Sequence, residues 1–211
     1  MAIDAKNVPS GPINPGEVAW TGENPGIYLK AQPDGDWTGL ATFFRIMWSP
    51  HGRGHGVLLL DRPLEAKGLP AVRNFCISDN EPLARYLVAE FFSKFMSFRA
   101  SPGTGAISYL PLTKVSRGGD SRSTYTETID SADFSVVMTW RGLGQPYAVD
   151  MPPEKGPTKQ HQMYSLFVDA SDAGVTVNGT PLAGRVAVRD FADTKKPTAF
   201  LAFSETWIKV S

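Results

Sequence analysis

The spacing of turn-forming residues limits the fold of this chain more than any other feature. Its 20 glycines and 17 prolines lie between short apolar runs and follow no repeat period. Those runs are rich in Val, Ile, Thr, Phe, Tyr and Trp and are bounded by Gly, Pro, Asp and Asn, which is the pattern of strands joined by turns. Strands are expected over 26–31, 39–48, 55–61, 71–78, 107–116, 122–130, 133–141, 160–169, 173–178, 181–190 and 197–210. Two connections have a specific physical basis. Asn178-Gly179 supplies the two positive-φ residues of a type I′ turn, so Val175–Val177 and Thr180–Leu182 should form a hairpin. The polar Asp130-Ser131-Ala132-Asp133 joins two alternating segments and predicts a second hairpin.

One segment has helical rather than strand periodicity. From Glu81 to about Phe98, Leu87, Val88, Phe91, Phe92, Phe95, Met96 and Phe98 fall on one half of a helix, with Glu90, Ser93, Lys94 and Ser97 opposite. Asn80 suits the N-cap, and Pro82 suits the first turn, where its missing N–H costs no intrahelical bond. Four phenylalanines on that face require a large apolar partner, and no second helix of similar strength is present. The expectation is therefore a mainly β, antiparallel, barrel-like sheet with one amphipathic helix packed on it or closing one end. A β-sandwich is the alternative. Residues 1–25, with Pro9, Pro12, Pro15 and Pro25, are expected to form an extended arm before a single domain spanning 26–211. The longest expected loop, 142–159, carries Pro146, Pro152, Pro153 and Pro157 and has the length of a lid or binding loop.

Charge and composition exclude several functions. The 21 basic residues equal the 21 acidic ones, leaving no surplus of cations for a phosphate backbone or an anionic membrane surface. Neither nucleic acid nor membrane is expected as a partner, and no run reaches the ~20 apolar residues of a membrane helix. Cys76 is the sole cysteine, and the N-terminus lacks the basic and apolar regions of a secretory signal, which points to the cytoplasm. No motif for a nucleotide, metal or other cofactor is present, so none is expected.

Candidate chemistry comes from charged residues in phase with large apolar neighbours on strands, since such side chains point inward, where burial is costly without a partner. Arg45 is in phase with Phe43 and Met47, Glu205 with Leu201, Phe203 and Trp207, and His161 with Met163 and Phe167. If these odd-numbered positions share one interior, Arg45 can receive a ligand carboxylate while Glu205 or His161 moves a proton. The same register can instead hold a buried ion pair. Pro50-His51-Gly52-Arg53-Gly54-His55-Gly56 is a glycine-rich loop in which His51, Arg53 and His55 could touch an anion. With Asp61 the two histidines could form a metal triad, but the spacing nominates no further ligand and no metal is expected. Trp48, Trp140, Tyr164 and Trp207 are aromatic candidates for a pocket wall. These residues predict a binder of a small apolar or aromatic carboxylate. The alternatives are a cofactor-independent lyase, isomerase or hydrolase using the same pocket, and a structural module that forms a homo-oligomer through the N-terminal arm.

Overall fold

The computed structural model describes residues 16–210. The strands are β1 (Gly16–Glu23), β2 (Gly26–Lys30), β3 (Trp37–Trp48), β4 (Gly54–Leu60), β5 (Asn74–Ser78), β6 (Ser108–Pro111), β7 (Lys114–Gly119) and β8 (Thr124–Asp130). They continue with β9 (Ser135–Leu143), β10 (Tyr147–Met151), β11 (His161–Val177), β12 (Thr180–Pro181), β13 (Arg185–Val186), β14 (Val188–Phe191), β15 (Thr194–Pro197) and β16 (Ala199–Val210). Between β5 and β6 lie helix α1 (Glu81–Glu90), a single 3₁₀ turn at Phe92–Lys94, the short helix α2 (Met96–Arg99) and a second 3₁₀ segment at Pro102–Ala106. The protein is thus mostly β, as its turn spacing requires.

Among the described residues, 14 strands form one sheet whose main path runs β6-β5-β4-β3-β1-β16-β11-β9-β8-β7. All pairings are antiparallel except β5 with β6. The two ends of this path are adjacent in the chain. The N–H of Leu112 bonds to the Ser78 carbonyl of β5, and that of Thr113 to the Asp130 carbonyl of β8, so the strands ring a common interior. β11 passes from one half of the ring to the other. Its residues His161–Asp169 pair with β16, and Ala170–Val177 pair with β9. The expected strands 160–169 and 173–178 are therefore one continuous strand that changes partner.

Both faces of the first half-sheet are covered, which explains runs such as Phe43-Phe44 and Val57-Leu58-Leu59-Leu60. Phe43, Val57, Leu59, Phe75 and Ile77 pack against Ile129, Val136, Met138, Trp140, Val175 and Val177 of the second half. Leu40, Phe44, Ile46, Leu58 and Cys76 face the helical segment instead. Each buried side chain of this size contributes about 1.5–3 kcal/mol by leaving water. The layers are helix, sheet, sheet.

Several expectations need correction. The arm does not extend to residue 25: Gly16–Glu23 is a strand between β3 and β16, because its alternation of Val18, Trp20 and Gly22 suits a covered sheet. The part of the expected arm at residues 1–15 lies outside the described residues. The helix is not continuous from 81 to 98. Asn80 caps it as expected, accepting the Leu83 N–H at 3.1 Å, but α1 ends at Glu90 and Phe95 is extended. Breaking the helix lets each phenylalanine reach a different strand. Phe91 meets Trp20 on β1, Phe92 meets Phe44 on β3, Phe95 stacks on Trp207 of β16 and Phe98 meets Tyr28 on β2, at centroid distances of 5.7, 6.0, 5.8 and 5.5 Å. One straight helix could not follow the curved sheet so closely. The expected loop at 142–159 contains β10, paired along Met163–Phe167 of β11.

Candidate functional site

The two faces of β3 separate the charged groups proposed from sequence. Arg45 follows Ala41 and Phe43 toward the apolar core between the two half-sheets. At the edge of that core it bonds Glu23 and, at 3.0 Å, the fully buried Glu127. Arg117 bridges the same two carboxylates at 3.0 and 3.3 Å, and the Tyr125 hydroxyl donates to Glu127 at 2.7 Å. Two cations and two anions neutralise one another, so the charge of Arg45 is answered within the protein. Burial lowers its proton affinity, but Glu127 and Glu23 more than restore it.

Glu205 lies on the other face because β16 changes phase. Phe200 and Ala202 point toward the helix layer, while Ala199 and Leu201 point between the sheets, with Phe203 packed on that same core. At Ser204 the backbone enters the left-handed region with φ 53°, and the register with β11 slips between Tyr164 and Leu166. This extra residue is a β-bulge. Beyond it Glu205 and Trp207 share the helix-side face rather than following Leu201 and Phe203. Arg45 and Glu205 are therefore not partners.

On that face is a cavity of about 330 Å³. Its floor is Tyr28 of β2, Met163 and Phe167 of β11, and Phe200, Glu205 and Trp207 of β16. Phe95, Met96 and Arg99 form one wall, and Met151, Lys155, Gly156, Pro157, Lys159 and the β14–β15 hairpin form the other. The proline-rich stretch thus contributes a rim, and the helix break turns Phe95 toward the cavity. The methionines Met96, Met151 and Met163 add unbranched side chains that adapt to irregular apolar surfaces.

Two polar groups in this cavity have no hydrogen-bond partner among the described residues. The first is Arg189 on β14, flanked in strand alternation by buried Ala187 and half-buried Phe191. Its guanidinium lies 4.2 Å from the Phe200 ring centre, 4.6 Å from that of Phe191 and 5.9 Å from that of Tyr28. Its Nε is buried without a hydrogen-bond partner, and among the described residues Arg189 forms no ion pair. The nearby Asp169 already accepts the Tyr147 hydroxyl at 2.9 Å and pairs with Lys196 at 3.3 Å. Burial lowers the proton affinity of Arg189, partly offset by the hydroxyls of Tyr28 and Tyr147 and by Asp169 and Glu205. Ring faces attract the cation but supply no acceptor for its N–H groups.

The second is one oxygen of Glu205. Oε1 accepts the Trp207 indole N–H at 2.6 Å and the Asn24 amide at 3.5 Å. Asn24 is held in this orientation because its own Oδ1 accepts the Thr42 hydroxyl at 2.5 Å. Among the described residues Oε2 accepts no hydrogen bond. Burial pushes the Glu205 carboxyl up to about 7, against the opposing pull of Trp207, Asn24 and the Arg189 charge. Glu205 and Arg189 influence each other electrostatically but do not form an ion pair, so the cavity separates a bare cation from a bare carboxyl oxygen.

The remaining sequence candidates lie elsewhere. His161 begins β11 with its ring 4.9 Å from Phe91 and 6.4 Å from Trp207, and its Nδ1 lies 3.1 Å from the Thr158 hydroxyl. It is buried beside the cavity but does not line it, and burial together with Lys94 and Lys209 keeps it below the usual histidine range. Trp140 is enclosed between the half-sheets, donating to the Gly26 carbonyl at 3.0 Å. Trp48 is exposed at the end of β3, and Tyr164 alternates away from Met163 and accepts the Gln162 amide at 2.8 Å. The glycine-rich loop is a connector to α1. The Asn80 amide binds the His51 and Arg53 carbonyls at 2.9 and 3.0 Å, His51 packs on Tyr86 at 4.6 Å, and His55 Nδ1 lies 2.9 Å from Asp79. Asp61 pairs with Arg73 at 2.8 Å, and among the described residues no three His, Cys, Asp or Glu side chains gather as metal ligands. Burial pushes the Cys76 thiol far up, so it is not a ready nucleophile.

Asn24, Tyr28, Arg189 and Phe200 were not nominated by sequence. The in-phase rule that singled out Arg45 would also have found Arg189, between Ala187 and Phe191, had 181–190 been divided into its short strands. Comparison with protein-family models, with curated proteins and with solved structures finds no match for this chain. Among the described residues no helix is long and apolar enough to cross a membrane.

Proposed function

We propose that the protein binds a small carboxylate with an apolar or aromatic body in the cavity between β16 and the Phe95–Arg99 segment. The observation that carries this reading is the unpaired Arg189 guanidinium, half-buried against three aromatic rings with its Nε enclosed. A buried N–H without an acceptor is costly, and a carboxylate can satisfy it through parallel N–H bonds from Nε and one terminal nitrogen. The volume is within the range of small-molecule pockets, and aromatic walls with few polar groups suit an apolar body. Arg189 thus takes the anchoring role that sequence phase gave to Arg45.

Titrating Trp fluorescence and heat with a series of aryl and alkyl carboxylates tests the reading. Removing a charged hydrogen bond of about 1.5–3 kcal/mol should weaken binding roughly tenfold to a hundredfold in Arg189→Met. Arg45→Met should leave it unchanged. No binding by any carboxylate, or equal binding by Arg189→Met, overturns it.

A second reading, a cofactor-independent enzyme, is favoured by the bare Oε2 of Glu205 on a carboxyl whose proton affinity is tuned near neutrality. In that reading Glu205 alone moves the proton, since His161 does not line the cavity. Deuterium exchange at the carbon next to a bound carboxylate, followed by NMR, should occur in the wild type and vanish in Glu205→Gln. Equal rates remove this reading.

A further inference from the structure

The two unpaired groups of the cavity have opposite polarity, and each constrains the ligand separately. Arg189 Nε lacks an acceptor and Glu205 Oε2 accepts no hydrogen bond among the described residues, yet the two groups form no ion pair with one another. A simple carboxylate satisfies Arg189 and leaves Oε2 either bare or dependent on its own proton. A simple amine satisfies Oε2 and brings a second positive charge beside the half-buried guanidinium. We propose that the natural ligand class is a zwitterionic amino-carboxylate with an apolar or aromatic side chain, its carboxylate on Arg189 and its ammonium on Oε2 of Glu205. This deepens the carboxylate reading and rests on it.

The charges around the rim are answered within the protein only in part. Lys94 is paired with Glu90 at 2.8 Å, Lys155 with Asp193 at 2.7 Å and Asp190 with Lys195 at 2.8 Å. Lys159 donates to the Glu154 carbonyl at 2.8 Å. Among the described residues Lys159 and Arg99 form no ion pair, so the rim keeps cations of its own, whereas Arg189 and Glu205 place groups of opposite sign inside the cavity. The hydrogen bonds from Trp207 and Asn24 both fall on Oε1, which fixes the carboxyl plane and leaves Oε2 bare. A fixed acceptor and a fixed donor on the lining of one aromatic-walled cavity select a ligand by the relative placement of its own two charges.

The test uses matched pairs, each an amino acid with its deaminated analogue: phenylalanine with 3-phenylpropionate, leucine with 4-methylpentanoate, tyrosine with 3-(4-hydroxyphenyl)propionate. Calorimetry at pH 7 in two buffers of different ionisation enthalpy reads affinity and protons exchanged together. The amino acid of at least one pair should bind tenfold or more tightly than its analogue and release protons, because the ammonium ionises a carboxyl that burial holds well above its ordinary range. In Glu205→Gln the ratio within that pair should fall to near one and the proton release should disappear. If analogues bind as tightly as amino acids and take protons up, Glu205 is a neutral donor to carboxylates, so the zwitterion proposal fails while the carboxylate reading stands. If no member of any pair binds the wild type, both fail.

Discussion

Replacing Glu205 by glutamine should stabilise the ligand-free protein at alkaline pH. The carboxyl is raised from its ordinary 4.5 to about 7, mainly by burial. Between those values the folded protein therefore holds a proton that the unfolded chain has released. Stability must fall as pH rises through that window, and above it the loss is complete. At about 1.4 kcal/mol for each tenfold difference in proton affinity, the full loss is on the order of 3 kcal/mol. Glutamine keeps the shape and an oxygen for the Trp207 N–H but has no charge to bury. The variant should match the wild type near pH 4 and exceed it by up to about 3 kcal/mol at pH 8, with part of that offset by any poorer fit of the amide. Urea unfolding of both proteins at several pH values measures the difference directly and cancels the contribution of every other carboxylate. A difference independent of pH, or a wild type that gains on the variant as pH rises, would refute the assignment of Glu205 as a buried, partly unsatisfied acid.

Other perturbations separate the two charged centres and test the layers. Arg45→Met should destabilise the fold by about 3 kcal/mol at neutral pH in the same unfolding assay, because Glu127 is then left buried with Arg117 and Tyr125 alone. Phe43→Ala opens a cavity in the dry core between the half-sheets and should cost about 3–5 kcal/mol by denaturant midpoint, without changing carboxylate affinity. Gly179→Ala places a Cβ at φ 77° in the type I′ turn and should cost about 1 kcal/mol in thermal unfolding, whereas the same change in an unstrained turn is neutral or stabilising.

Local chemistry was legible in the sequence, and long-range placement was less so. Asn178 and Gly179 adopt φ values of 50° and 77° because their turn is dictated by adjacent residues. Asn80 caps α1 for the same reason. The failure at Arg45 has a different origin. Alternation identifies which residues share a face, but β3 is apolar on both faces, so it could not show which face borders a cavity. Glu205 illustrates a second limit: one residue in a left-handed conformation at Ser204 reverses the phase of the rest of β16, and serine carries no strong signal for it. The helix break likewise follows from the curvature of the sheet beneath, where Trp20, Phe44, Trp207 and Tyr28 each take a separate phenylalanine. Arg189 escaped notice because β14 is four residues long and its aromatic partners come from β2 and β16.

The central claim is that Arg189 is held without a protein acceptor so that a ligand can supply one. A crystal soaked with 3-phenylpropionate tests this most directly. The account predicts density for the carboxylate on the Arg189 guanidinium, with the ring among Phe95, Phe167 and Trp207. Arg189 paired instead with Glu205 across a cavity closed to the ligand would contradict it.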